Sequence, residues 1–305
     1  METNKSPNVE ATVGVVGMGI MGRGIAEVLM LSGYNVLAKT GKRSSFEENK
    51  AVLKKSLKRS MRRGDYTESF EDVFQRLHGA NGWEDFAKCE FVIEAINEDL
   101  DKKTECLRNI AEHLPATAVL ASNTSSLSIT KLAAITDIPD RVIGLHFMNP
   151  APIMTVVEVV RGFETSTKTF NSSISLIESL GKQVVISRDS PGFLLNRILI
   201  PMINEAIYTV SEGIGTIESI DKILVGAANH PMGPLQLADL IGLDTCLAIL
   251  QVLHAEMADQ KYRPCPLLVK YVEAGWLGRK TKKGFYDYSG SKKTPSWPIQ
   301  DTPVV

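Results

Sequence analysis

Apolar and polar positions alternate in short blocks along the first part of the chain. TVGVV is an apolar run that leads straight into glycines, and IMGRGIAEVLMLSG has helical spacing closed by Gly33. NVLA then predicts a second strand, and further buried strands are predicted at FVIEAI (91–96), AVLAS (118–122) and VIGLHF (142–147). TVVEVV (155–160) and QVVIS (183–187) add two more. Helical patterns over 47–63, around 100–113, 127–135 and 166–180 separate the strands. Buried strand alternating with helix predicts a parallel sheet covered on both faces.

The grammar changes after Arg188. DSPGFLLNRILIPMINEAIYTVSEG is one long helical pattern, with Pro191 near its start and Gly213 at its end, and helices are predicted near 216–227, 233–257 and 265–274. No strand of comparable strength follows, and the last residues, SKKTPSWPIQDTPVV, predict an irregular tail. The expected fold class is therefore α/β: a doubly wound sheet over 1–188, then an all-helical domain over 189–305.

Composition narrows this little. Of 305 residues, 44% are hydrophobic and 23% charged, an ordinary globular balance. A net charge of −1 gives no global pull toward nucleic acid or an anionic membrane, so recognition of a charged ligand must be local. Cys89, Cys106, Cys246 and Cys265 form no C-x-x-C pair and predict free thiols in a reducing, cytoplasmic setting. No run of 18 apolar residues exists, the polar start METNKSPNVE has no secretory core, and no membrane partner is expected. His230 has no second ligand at useful spacing, and no metal site is expected.

Three glycines carry the first chemistry. In GMGIMG, Gly17 permits a tight turn, Gly19 lets backbone approach a pyrophosphate, and Gly22 lets helix pack on strand. With Met18, Ile20 and Met21 between them, a strand before and a helix after, they form a dinucleotide fingerprint. An acid is expected about 20 residues on, to grip the ribose hydroxyls of NAD. Here the second strand ends in Lys39 and Thr40, followed by Lys42 and Arg43. The acid is gone and bases have arrived, which favours NADP(H) with NAD(H) possible, unless these are merely exposed loop cations. The helix over 47–63 has a basic face of Lys54, Lys55, Lys58, Arg59, Arg62 and Arg63, which is either a solvated face or an anion site.

The remaining motifs are scattered: NTSSLSIT (123–130), GLHFMNP (144–150), VVEVVRG (156–162), SPGFLLNR (190–197), NHPMGPLQLADLIGLD (229–244) and GWLGRKTKKGFYDY (275–288). In this order they resemble the 3-hydroxyacyl-CoA dehydrogenases, particularly the short bacterial 3-hydroxybutyryl-CoA dehydrogenases, from about Val13 to Tyr288. The resemblance implies a Rossmann-type domain and a helical dimerisation and substrate domain. It implies a catalytic His146 oriented by Glu158, with Ser125 and Asn196 holding the substrate's 3-oxygen. It places Glu98, Lys103, Asn123, Ser125, Asn149 and Lys280 by the cofactor, aligns Thr40 with the family's ribose-binding Asp, and sets Ser56 and Arg63 at the coenzyme A nucleotide, Arg63 standing where the family has Lys. An acyl-CoA substrate and a homodimer follow as expectations. Two rivals stand beside them: a dehydrogenase acting on an acyl group presented by a carrier protein, and a non-catalytic dinucleotide-binding protein.

Overall fold

The protein is described by a computed structural model covering residues 11–41 and 43–296, with the side chains of Arg43 and Ser44 outside the description. Its contacts divide it between Phe193 and Leu194.

The first unit runs β1 (Thr12–Val16), α1 (Ile20–Leu31), β2 (Asn35–Lys39), α2 (Arg43–Met61), α3 (Phe70–Gln75), β3 (Leu77–Gly79), β4 (Phe91–Glu94) and α4 (Leu100–Ala111). It continues with β5 (Val119–Ser122), α5 (Ile129–Ala134), β6 (Val142–Phe147), β7 (Val156–Arg161), α6 (Thr167–Ser179) and β8 (Gln183–Arg188). Eight strands form one sheet in the order β3-β2-β1-β4-β5-β6-β7-β8. The chain leaves β1 toward β2 on one side and returns through β4 on the other, so the switch point, where such sheets bind ligands, lies between β1 and β4.

Alternate residues of each strand feed two cores. Val36, Ala38, Ile93, Ala121, Ile143, Leu145, Val157 and Val159 pack with α1, α2 and α6 residues such as Ile25, Leu53 and Ile177. Leu37, Val92, Leu120, Val142 and Val160 pack with Leu107 and Ile110 of α4 and Ile129 and Leu132 of α5. Burial on both faces is why these strands read as continuous apolar runs. Helix starts are set locally: Asp99 accepts from the Lys102 N–H at α4, Ser128 from Lys131 at α5, and Ser166 from Thr169 at α6. Each cap of this kind stabilises by about 1 kcal/mol.

In the first unit three features depart from the sequence reading. The sheet is not wholly parallel, because β7 pairs antiparallel with β6 and carries β8 with it. No long helix intervenes between β6 and β7, so the chain cannot make the crossover that a parallel pair needs. The strand β3 and helix α3 were not anticipated; β3 has three residues and only Leu77 is buried, too little for a periodic signal.

The second unit holds α7 (Leu195–Ser211), α8 (Ile217–Ala228), α9 (Pro234–Ile241), α10 (Leu243–Met257) and α11 (Pro266–Glu273) around one apolar cluster. The single helix expected over 233–257 is broken at Gly242, whose φ of +106 suits glycine, and α9 and α10 meet at 95°. The long helix expected from 189 starts only at Leu195, because Gly192 and Phe193 both adopt positive φ. The unit is not all-helical either: β9 (Tyr286–Asp287) and β10 (Thr294–Pro295) form a short antiparallel pair. Asp221 and Asp239 anchor this segment from beneath. Asp221 accepts from the Leu235 and Gln236 amides at the start of α9 and from the Tyr286 hydroxyl, while Asp239 accepts from the Phe285 and Tyr286 amides and the Tyr288 hydroxyl. No single helix among the described residues is long and apolar enough to cross a membrane.

Candidate active site

The glycine turn sits at the switch point. Gly17 has φ +96, and a Cβ there would lie 2.6 Å from the Ala95 carbonyl oxygen just beyond β4. A Cβ on Gly22 would overlap the Gly17 carbonyl, whereas one on Gly19 would meet nothing within 4 Å. Gly17 and Gly22 are thus required by packing, and Gly19 opens onto free space. Gly19 begins α1 with no side-chain cap, and Ile20 is exposed while Met18 is buried. Uncapped amides facing open space at a helix N-terminus fit a dinucleotide pyrophosphate.

At the end of β2, the Lys39 carbonyl accepts from the Gly17 amide, tying the turn to this strand. Thr40 follows, half-buried. The Lys39 ammonium stands 4.7 Å over the Trp83 ring, so that cation is already engaged. Lys42 lies outside the described residues, as does the side chain of Arg43.

The antiparallel pairing of β6 and β7 brings the two expected catalytic residues together. Twelve residues apart in sequence, His146 and Glu158 are direct cross-strand partners, and Nδ1 of His146 lies 2.6 Å from Oε2 of Glu158. Both side chains are buried. With Nδ1 committed to the carboxylate, the tautomer and ring orientation are set and Nε2 is the nitrogen left for a substrate proton. The Phe193 ring packs 5.8 Å from the imidazole, which gives the SPGF turn a purpose. Neighbouring loops are fastened by polar groups that sequence reading passed over. Asp189 accepts from the Ser128 hydroxyl and the Ile129 and Thr130 amides at the start of α5. Lys182, its ammonium disfavoured by burial, donates to the Ala151 and Met154 carbonyls in the loop beyond His146.

The other expected residues fall as follows. Asn123 spends its Oδ1 on the Phe147 amide, joining the ends of β5 and β6, and Asn149 is exposed in the turn after β6. Ser125 is half-buried on the loop after β5, and its amide donates to Glu98. Glu98 also receives the Thr124 hydroxyl and the Ser126 amide and hydroxyl. Burial raises the Glu98 pKa, but the Lys103 charge and these donors outweigh it and the net shift is downward. Lys103 is fully buried against Glu94 and Glu98, so it does not present its ammonium to solvent. In the second unit, Asn196 is buried on the first turn of α7, and Lys280 pairs with Asp244 at 2.5 Å. Cys89, Cys106 and Cys246 are each pushed up to about 12 by burial and make poor nucleophiles.

The basic residues of α2 and of the turn just beyond it fall into two sets that share Lys58. Lys50, Lys54 and Lys58 lie over the rings of Phe70 and Phe74 on α3, which accounts for them by packing. Lys55, Arg59, Arg62 and Arg63, together with Lys58, line an open depression of about 450 Å³. Ser56 is half-buried on the same helix.

A doubly wound sheet with a glycine turn at its switch point defines a dinucleotide-binding protein, here with a buried imidazole–carboxylate pair on the same sheet. Comparison with known proteins narrows the class. The family model for "3-hydroxyacyl-CoA dehydrogenase, NAD binding domain" matches residues 12–190, and that for "3-hydroxyacyl-CoA dehydrogenase, C-terminal domain" matches 192–288. The chain belongs to the 3-hydroxyacyl-CoA dehydrogenase family. It is 50% identical over 285 residues to a 3-hydroxybutyryl-CoA dehydrogenase of Bradyrhizobium diazoefficiens, covering 93% of this chain and 97% of that protein. It is 49% identical to a probable 3-hydroxybutyryl-CoA dehydrogenase of Bacillus subtilis, covering 90% and 96%. The crystal structure of (S)-3-hydroxybutyryl-CoA dehydrogenase from Ralstonia eutropha superposes with a TM-score of 0.88 at 44% identity, covering 92% of this chain and all of that one.

Proposed function

We propose that the protein is a nicotinamide-dependent dehydrogenase that interconverts 3-hydroxybutyryl-CoA and its 3-keto form. The observation that carries this reading is the His146–Glu158 pair on β6 and β7, 2.6 Å apart and buried, in a chain half identical to a 3-hydroxybutyryl-CoA dehydrogenase. When bound, the nicotinamide accepts or supplies the hydride. The protein's own task is the proton. Nε2 of His146 takes the hydroxyl proton during oxidation and returns it to the 3-oxygen during reduction. Glu158 steadies the imidazolium through Nδ1. Ser125, and Asn196 of the second unit, hydrogen-bond the 3-oxygen, whose charge changes in the step. Glu98, Asn149 and Lys280 line the cofactor side, and the turn built on Gly17, Gly19 and Gly22 holds its pyrophosphate.

The depression on α2 supports a coenzyme A thioester: Arg63 and its neighbours offer charge to the nucleotide phosphates, with Ser56 beside them. The same cations would suit an acidic carrier protein, and comparing coenzyme A with carrier-bound thioesters separates the two. A preference for NADP(H) is part of the proposal. Its support is Thr40 in place of an acid, with Lys42 and Arg43 close in sequence; the engagement of Lys39 with Trp83 removes one cation from that support. The second unit is proposed as the homodimer contact, since Ile198 of α7 and Ile223 of α8 are exposed; sedimentation at about the 33.4 kDa of one chain would refute it. The function is tested by an activity panel of acyl-CoA lengths crossed with both nicotinamide cofactors. Turnover strongest on the four-carbon substrate supports the reading, and no turnover on any hydroxyacyl thioester contradicts it, reviving a purely dinucleotide-binding role.

A further inference from the structure

Two acids and one base cluster at the end of β4, Glu94 and Lys103 buried and Glu98 reaching the surface. The Lys103 side chain has no solvent exposure, and its Nζ lies 2.7 and 3.0 Å from the two oxygens of Glu94 and 3.4 Å from Oε2 of Glu98. Glu94, equally buried, is satisfied in addition by the Ser122 hydroxyl and the Ile96 amide. It needs no further partner. Glu98 is different: its side chain is 36% exposed, and its other oxygen, Oε1, receives four donors, the Thr124 and Ser126 hydroxyls and the Ser125 and Ser126 amides. One oxygen holds that many donors well only when it carries charge. The cation beside that carboxylate is Lys103, 3.4 Å from Oε2 and held on its other side by Glu94.

We infer that Lys103 is a positioning residue: its buried ammonium holds Glu98 as a carboxylate, and through Glu98 it fixes the 124–126 turn that presents Ser125. Lys103 acts on Glu98 from within the core. Its effect on turnover, which rests on the reading of Ser125 as a substrate-oxygen ligand, travels through Glu98.

Hydrogen exchange followed by mass spectrometry on the whole protein tests the link without any substrate. Lys103→Met should speed exchange of the Ser125 and Ser126 amides by about tenfold or more, the usual weight of a hydrogen bond to a charged acceptor, while amides of β6 keep their protection. If that variant fails to fold, Glu94→Gln/Lys103→Met removes both buried charges together, an exchange that proteins often tolerate, and carries the same expectation. Kinetics add a second arm. In either variant kcat at saturating dinucleotide should fall by about tenfold to a hundredfold. Adding Glu98→Gln should then cost little more, because Glu98 has already been released. Unchanged exchange at Ser125 and Ser126 overturns the inference. So does a loss confined to dinucleotide affinity with kcat preserved at saturation, or a Glu98→Gln effect that multiplies in full. Should the wild type turn over no hydroxyacyl thioester, the function proposal fails while the exchange arm still decides the role of Lys103.

Discussion

His146 and Glu158 need each other to mean anything. A histidine in an apolar strand is ordinarily a satisfied core residue, and a glutamate in VVEVV an ordinary strand carboxylate. The antiparallel register sets them opposite one another, and the short Nδ1–Oε2 contact then gives the imidazole one free nitrogen and one direction. The family resemblance named both residues and implied their pairing; the apolar pattern alone does not, because the pairing depends on a turn between β6 and β7 that it does not encode. Glu94, Lys103, Asp189 and Lys182 left weaker marks. Lys103 was picked out only as a cofactor contact and the rest not at all, since a buried charge is recognisable only once its partners are in place. Thr40 poses the opposite problem, a residue whose sequence signal is clear and whose surroundings are only partly described. If Thr40 and Arg43 select the 2′-phosphate, kcat/KM should favour NADPH over NADH by roughly tenfold, about one charge-assisted contact. The combined Thr40→Asp and Arg43→Ala variant should shift that preference toward NADH. A wild type that uses NADH better than NADPH overturns the phosphate reading.

Among elements, buried strands were the easiest to read, because burial on both faces makes each an unbroken apolar run. Their direction was not readable: the pattern of VVEVV is the same whether β7 runs with β6 or against it. The break between α9 and α10 was hidden for a related reason, since both helices bury apolar faces in one cluster and only the backbone at Gly242 separates them. The basic helix α2 lays Lys50, Lys54 and Lys58 over α3, while Lys55, Lys58 and Arg59, with Arg62 and Arg63 just past its end, line an open depression. If that depression reads the coenzyme A nucleotide, Arg63→Ala should raise KM for acyl-CoA by roughly tenfold to a hundredfold, the range for a contact to a charged group. The KM of a truncated pantetheine thioester should stay the same. Equal effects on both substrates would show that Arg63 serves something other than the phosphates.

At the level of the whole molecule, stability and chemistry depend on separate buried acids. Burial pushes the Asp239 carboxyl up to about 6 from 3.8, against the two amides and the Tyr288 hydroxyl that donate to it. A carboxyl raised in the folded state binds its proton more tightly there than in the unfolded chain, so its contribution to stability falls as pH rises between about 4 and 6. The advantage of the wild type over Asp239→Asn in thermal unfolding should therefore be largest near the acid end of that window and level off above it. An advantage that grows with pH would mean that the donors outweigh burial. The proposed function turns instead on the His146–Glu158 pair of the first unit. The most direct measurement is steady-state oxidation of NADPH and NADH with acetoacetyl-CoA, wild type against His146→Gln and Glu158→Gln. With His146 as the proton carrier, kcat should fall by about 10² to 10⁴ in His146→Gln, the reach of general acid–base catalysis. The fall should be no greater in Glu158→Gln, and cofactor affinity should stay nearly constant in both. Near-normal turnover in His146→Gln would contradict the assignment and send the proton by another route.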